Sequence, residues 1–188
     1  MNLIIAVIGA YLVWRLWQNG GKPSQEPPPP PPPLPLEQPQ IPTVYLEQRK
    51  VFLVERFAPL INSVAESLNM PPNILKALIY LQSSGDDAAR LMQPDSEYGY
   101  GLTQITCSRA RRLSADAELK GVVPITDCLI LEEPVNSIYY GAVYLNALSR
   151  GDWLTALAKY YSPTEALIPR EDALKKAKLT LAVANAWG

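Results

Sequence analysis

Histidine is absent from this 188-residue chain. Its absence excludes a Ser-His-Asp nucleophilic site and any histidine-ligated metal centre. Cysteine is scarce: Cys107 and Cys128 are too few for a structural zinc site on one chain. Net charge is nearly absent as well. Charged residues make up 19% of the chain and balance to −1, so no global basic field exists to hold nucleic acid, and no nucleic-acid partner is expected. No segment of any length alternates with period two, so extended sheet is not expected. Any chemistry falls to carboxylates, amides and hydroxyls, with no metal and no cofactor.

What the chain has in excess is proline, 19 residues, most of them in one stretch. That stretch divides the sequence into three unlike regions. Residues 1–20 contain the apolar run LIIAVIGAYLVWRLW, interrupted only by Arg15. The run is short against the roughly 20 apolar residues of a full bilayer span. Arg15 can reach the headgroups, and Trp14 and Trp17 suit an interface, so a membrane-anchor helix is expected. A cleaved signal peptide is the rival reading, but no Lys or Arg precedes the run and no small-x-small site follows it. Residues 21–43 form a linker with seven consecutive prolines, Pro27 to Pro33. Proline locks φ and removes the backbone donor, so polyproline II is expected, at about 3.1 Å per residue and at most on the order of 60 Å over the twenty residues 23–42. A stiff spacer is favoured over a ligand for a proline-binding partner.

Residues 44–188 carry the periodic apolar pattern of a folded domain. Val51, Val54, Phe57, Ile61, Val64 and Leu68 fall on one helical face. Pro71 and Pro72 punctuate, and Ile74, Leu75, Leu78, Ile79 and Leu81 open a second helix. Residues 83–100, rich in Ser, Gly and Asp, read as a loop, with a short helix over 101–113. Pro134 suits a first helical turn, and Ile138, Ala142, Leu145 and Leu148 follow at helical spacing. Asp152 is a plausible N-cap for a helix through Tyr160, and the last helix spans roughly 171–186. The expected fold class is all-α, and about 145 residues suffice to bury a proper core.

Three ordered segments carry a further signal. They are ILKALIYLQSSG (74–85), YGYGLTQIT (98–106), and NSIYYGAVYLNAL with ALAKYYSP (136–148 and 156–163). Together they resemble the soluble lytic transglycosylase family, relatives of goose-type lysozyme. The resemblance covers about 120 residues and does not extend to residues 1–43. It implies a lysozyme-like helical domain that acts on the glycan strands of peptidoglycan. In the family the first helix ends in a Glu-Ser pair whose Glu is the catalytic acid; Gln82-Ser83 stands there in this chain. Gly101, Leu102, Gln104 and Ile105 match the family's glycine-leucine-x-glutamine-isoleucine motif. Tyr160 matches the tyrosine of its Ala-Tyr-Asn turn, with Tyr161 in place of the usual Asn.

The resemblance therefore puts Gln82 and Tyr160 at the catalytic positions. Ser83, Tyr98, Tyr100, Gly101, Leu102, Gln104, Ile105 and Tyr161 fall along the substrate. Gly101 would let the backbone approach the sugar. Tyr98 and Tyr100 would stack on sugar faces or cover the core edge, and Gln104 would bond sugar groups or satisfy a helix start. Asn136 reads as a helix-start residue. A glycosidic bond breaks through an oxocarbenium-like transition state once its leaving oxygen is protonated. In lytic transglycosylases one acid suffices, because the sugar's own C6 hydroxyl attacks and leaves a 1,6-anhydro end. Lysozymes use water, often with a second carboxylate, for which Asp86, Asp87, Asp95 and Glu97 are candidates beside their reading as a solvated loop. An amide at position 82 cannot donate a proton, which removes a factor of roughly 10²–10⁴ in rate. Gln82 is read as an engineered Glu→Gln change, favoured because the surrounding motifs are intact, with a binding-only relative as one alternative and a loop carboxylate such as Asp86 taking the acid's role as another. Cys107 and Cys128 form either a disulfide or two buried thiols. The basic residues Arg15 and Lys22 lie only after the anchor, which would hold the domain inside the cell. A phage component assembled inside and delivered to the next wall would reconcile that orientation with a wall substrate.

Overall fold

The computed structural model describes residues 42–93, 96–115, 124–162 and 170–187. The expected anchor over 1–20 lies outside the described residues, as does the proline linker over 21–43 save Pro42 and Thr43, and as does Asp95. No helix among the described residues is long and apolar enough to cross a membrane.

The first apolar face is carried by two helices, α1 (Gln48–Glu55) and α2 (Ala58–Ser67). The break falls at Arg56 and Phe57 because Pro59 follows. Its ring would clash with the Glu55 carbonyl of an unbroken helix, but costs nothing in the first turn of a new one. Asn69 ends α2 in the left-handed region (φ 51°), and Met70 N donates to Ala65 O at 2.9 Å. Helix α3 (Pro72–Gln82) starts on the Pro71-Pro72 pair. It is the central helix: Ile74, Leu75, Ala77, Leu78, Ile79, Tyr80 and Gln82 are buried, which leaves little of its surface to solvent.

Between α3 and the next helix the loop reading of 83–100 is corrected. The segment contains β1 (Arg90–Met92) and β2 (Tyr98–Tyr100), which with β3 (Ile105–Thr106) form an antiparallel sheet in the order β1-β2-β3. Arg90 pairs with Tyr100, Met92 with Tyr98, and Gly99 with Thr106. Strands of two or three residues are too short for a period of two to show in the sequence. The helix expected over 101–113 begins later, as α4 (Cys107–Ala115). Gly101 (φ 63°) and Gln104 (φ 54°) take left-handed backbone, which a right-handed helix cannot contain.

A 3₁₀ turn, η1 (Cys128–Glu132), precedes α5 (Pro134–Ser149), α6 (Trp153–Tyr160) and α7 (Glu171–Ala186). These starts match the expectations from Pro134 and Asp152. The Asp152 carboxylate accepts from Leu154 N at 3.1 Å and Thr155 N at 3.2 Å, and so caps α6. The domain is mostly helical, with a main core drawn from α1–α3 and α5–α7. A smaller cluster lies between β3, α4, η1 and α5, where Ile105, Ala110, Leu113, Leu131, Tyr140 and Val143 meet.

Two cross-links pin the periphery. Cys107 and Cys128, the first residues of α4 and η1, are joined in a disulfide with Cα atoms 5.5 Å apart. Glu55 accepts from Lys76 Nζ at 2.7 Å and from the Trp187 indole N–H at 2.6 Å, tying α1 to α3 and to the end of α7. The Trp187 ring stands edge-on to Tyr80, centroids 5.6 Å apart.

Reducing the disulfide releases a loop of about 20 residues and is expected to remove about 3 kcal/mol of stability, on the order of 10 °C in Tm by scanning calorimetry. An unchanged Tm would place the two sulfurs out of bonding contact. Burial alone would raise the Glu55 carboxyl, but the bonds from Lys76 and Trp187 outweigh it and hold the group below its ordinary 4.5. A depressed carboxyl stabilises the fold above the unfolded value, and that contribution fades as pH falls through the folded one. Glu55 is partly exposed, so Glu55→Gln is expected to cost about 1 kcal/mol at neutral pH, with the difference vanishing at acid pH in urea titrations.

Candidate functional site

Helix α3 stops at Gln82 for local reasons. The Ser83 hydroxyl donates to Ile79 O at 3.2 Å and accepts from Gly85 N at 3.2 Å, which caps the helix and opens a turn. Ser84 (φ 57°) and Gly85 (φ 82°) complete it, and a side chain at Gly85 would collide with the backbone of Leu53 and Val54. Gln82 is thereby held at the end of the central helix, 9% exposed. Its Nε2 is buried and meets no hydrogen-bond acceptor among the described residues. An orphaned buried donor costs about 1–3 kcal/mol, so it marks a position completed by something beyond the described residues.

Beside Gln82 lies a cavity of about 140 Å³ lined by Leu81, Gln82, Tyr161, Lys176 and Leu179. The Lys176 ammonium sits 5.8 Å from the centroid of the Tyr161 ring. The Tyr161 hydroxyl is 2.8 Å from Thr180 Oγ1, which itself donates to Lys176 O at 2.9 Å. A threonine has one hydroxyl proton, so Tyr161 is the donor of that pair. Burial pushes the phenols of Tyr160 and Tyr161 well above the ordinary range, and both stay protonated.

Tyr160, expected either at the catalytic position or as an ordinary buried tyrosine, is buried. Its hydroxyl donates to the Thr103 carbonyl at 2.9 Å, inside the core. Tyr161, not Tyr160, shares the cavity with Gln82. Ser83 serves as a helix cap.

The GLTQIT segment lies behind the site. Leu102, Gln104 and Ile105 are wholly buried. Gln104 Oε1 accepts from Leu91 N at 2.8 Å, and its Nε2 donates to Ala89 O at 2.7 Å and Gly101 O at 2.6 Å. The amide expected to meet sugar is engaged within the protein. Gly101 is needed for a close approach, but the neighbours are the Leu131 carbonyl and Ser137 rather than substrate. Tyr98 is 52% exposed beside Met92, and its ring is available for stacking. Tyr100 is half-buried under the Arg90 guanidinium, 5.5 Å from its centroid, and Arg90 pairs with Glu132.

Among the loop acids, Asp86 accepts from Ala88 N at 3.0 Å, and Glu97 accepts from the Ser108 hydroxyl. No group of three or more potential metal ligands occurs among the described residues. Asn136 bonds back to Ile130 O at 3.1 Å and to Glu133 at 2.9 Å, as a helix-start residue does.

Three contributors escape a sequence reading. Lys176 and Leu179 lie three apart on α7, far along the chain from position 82, with nothing local to mark them. Arg109 is wholly buried. Its guanidinium donates to Tyr160 O at 2.7 Å and Ser162 O at 2.6 Å, and lies 5.4 Å from the Tyr144 ring centroid. It fixes the turn that delivers Tyr161 to the cavity.

No protein-family model matches the chain. No curated protein matches it either. Solved structures do. An inactive glutamate-to-glutamine mutant of the lytic transglycosylase Slt from Pseudomonas aeruginosa superposes with a TM-score of 0.57 at 18% identity, over 69% of this chain and 23% of that one. The 70-kDa soluble lytic transglycosylase in complex with bulgecin A superposes with a TM-score of 0.56 at 18% identity, over 72% of this chain and 25% of that one. This chain thus spans about a quarter of the length of those proteins. The described domain has the lysozyme-like fold of the lytic transglycosylases.

Proposed function

We propose that this domain binds the glycan strands of peptidoglycan as a lytic-transglycosylase-type domain whose acid position is occupied by an amide. The observation that carries the reading is Gln82: it ends the buried central helix of a lytic transglycosylase fold beside an open cavity, with a donor that has no partner among the described residues. An acid at that position would protonate the oxygen leaving the MurNAc–GlcNAc β-1,4 bond, and the C6 hydroxyl would close the 1,6-anhydro ring. A glutamine keeps the shape and loses the proton. One of the similar solved structures is itself an inactive glutamate-to-glutamine mutant. Tyr161 forms a protonated, immobilised wall of the cavity, and the exposed Tyr98 offers a platform for a sugar face.

The second reading, a glycan-binding module with no catalytic history at position 82, is favoured by Lys176. An ammonium in the same cavity favours an ionised carboxylate, whereas a general acid needs a raised pKa. In either reading the segment 1–20 tethers the domain to a membrane and 21–43 holds it away, as in a phage component delivered to a wall. The domain is then expected to resist protease added to the periplasm of uninfected cells, and digestion there would count against virion delivery.

The function is tested by mass spectrometry of purified peptidoglycan incubated with the full chain, as it stands and as Gln82→Glu. Anhydro-muramyl products are expected only from Gln82→Glu, with a gain of roughly 10²–10⁴. The gain should be greatest at acid pH, because Lys176 disfavours the protonated carboxyl. Absence of products from both forms, with glycan still bound, would establish the binding module.

A further inference from the structure

We propose that the outer face of α1, with the residues that lead into it, docks onto an anionic lipid surface. The proposal rests on the reading of segment 1–20 as a membrane tether and says where the tethered domain settles.

The two most exposed large apolar side chains among the described residues lie close together in sequence, at the start of the domain. Tyr45 is 97% exposed and Phe52 is 69% exposed. Phe52 stands on α1 with Arg49 three residues before it and Arg56 four after it, a spacing that puts all three on one helical face. Both arginines are exposed. The other side of the helix is the packed one: Val54 is wholly buried, and Leu53 lies against the Gly85 turn. The acids of this stretch are engaged by other donors. Glu47 pairs with Lys50 at 2.9 Å, and Glu55 accepts from Lys76 and from the Trp187 indole. The charges of Arg49 and Arg56 are therefore left to the outer face, where they alternate with the rings of Tyr45 and Phe52.

Rings interleaved with guanidinium groups are the composition of a surface that sits in a lipid headgroup layer: the rings enter the layer and the cations meet the phosphates. One face of an eight-residue helix makes a weak contact by itself. A covalent tether raises its effective concentration into the millimolar range, which populates such a contact. The described chain begins at Pro42, three residues before Tyr45, so this face is the first part of the domain to follow the linker. The linker then sets the radius that the released domain can search, and the docked face is its resting position.

The test uses the full chain carrying Phe52→Trp in vesicles whose lipids bear bromine on the acyl chains. The vesicles are of phosphatidylcholine alone or mixed with phosphatidylglycerol. Emission is compared with that of the unsubstituted chain, which accounts for the four native tryptophans. The emission added at position 52 is expected to fall about twofold in the anionic vesicles and to stay unquenched in the neutral ones, with high salt or Arg49→Gln combined with Arg56→Gln restoring it. Residues 49, 52 and 56 are exposed, so these variants should keep the fold, which circular dichroism checks. A chain that floats with both kinds of vesicle but shows no quenching at position 52 would overturn the docking face and leave the tether standing. Equal quenching in neutral and anionic vesicles would overturn the anionic partner. An emission shift on purified peptidoglycan, with none on vesicles, would give the face to the wall and overturn the lipid assignment. Failure to float with either kind of vesicle would overturn the tether together with this proposal.

Discussion

The turn at Gly101–Gln104 is the knot from which the rest of the domain hangs. Thr103 is wholly buried, and every polar group it has is engaged across the fold. Its N–H donates to Ser137 Oγ at 3.1 Å, its hydroxyl donates to Ser137 O at 2.7 Å, and its carbonyl accepts from Tyr160. Helix α5 can press this closely only because residue 141 is glycine; a Cβ there would overlap the Thr103 side chain. Gln104 binds the other side of the turn to Ala89, Leu91 and Gly101. Sheet, α5 and the end of α6 therefore meet at two residues, and buried polar groups of this kind hold a unique geometry because each lost partner leaves a desolvated orphan.

Arg109 extends the same logic to the site. A buried guanidinium aimed at the carbonyls of Tyr160 and Ser162 meets the C-terminal end of α6, where the helix dipole favours positive charge. The rings of Tyr144 and Tyr160 flank it. The tyrosine pair is thus oriented by the interior: Tyr160 faces the knot, and its neighbour Tyr161 faces the cavity. Adjacent residues at a helix end point in different directions, and here the outward-facing one replaces the residue type that the family resemblance places at that turn.

Much of this was legible before the fold was known. Pro134, Asp152 and the Pro71-Pro72 pair mark helix starts through φ restriction and capping, which act locally and so survive in a one-dimensional reading. The sheet was not legible, because β3 has two residues and β1 and β2 have three, and alternation needs a longer run. The break between α1 and α2 was masked by an apolar face that continues through it, although Pro59 carried the signal. Position 82 was legible through the motif order. The surroundings of that position were not: Gln104 reads as a polar ligand but is consumed by backbone groups, Gly101 makes room for Leu131 and Ser137, and Lys176 arrives from a helix whose sequence has no tie to the site.

Helix α7 has a consequence for the order of events in the life of the chain. Position 82, its helix and the turn that caps it are made early during synthesis, whereas Lys176, Leu179 and the Thr180 that orients Tyr161 are made late. The cavity has no closing wall until α7 has left the ribosome and packed against α3. A nascent chain therefore carries the central helix before this cavity is walled, and the cavity forms in one step when α7 packs.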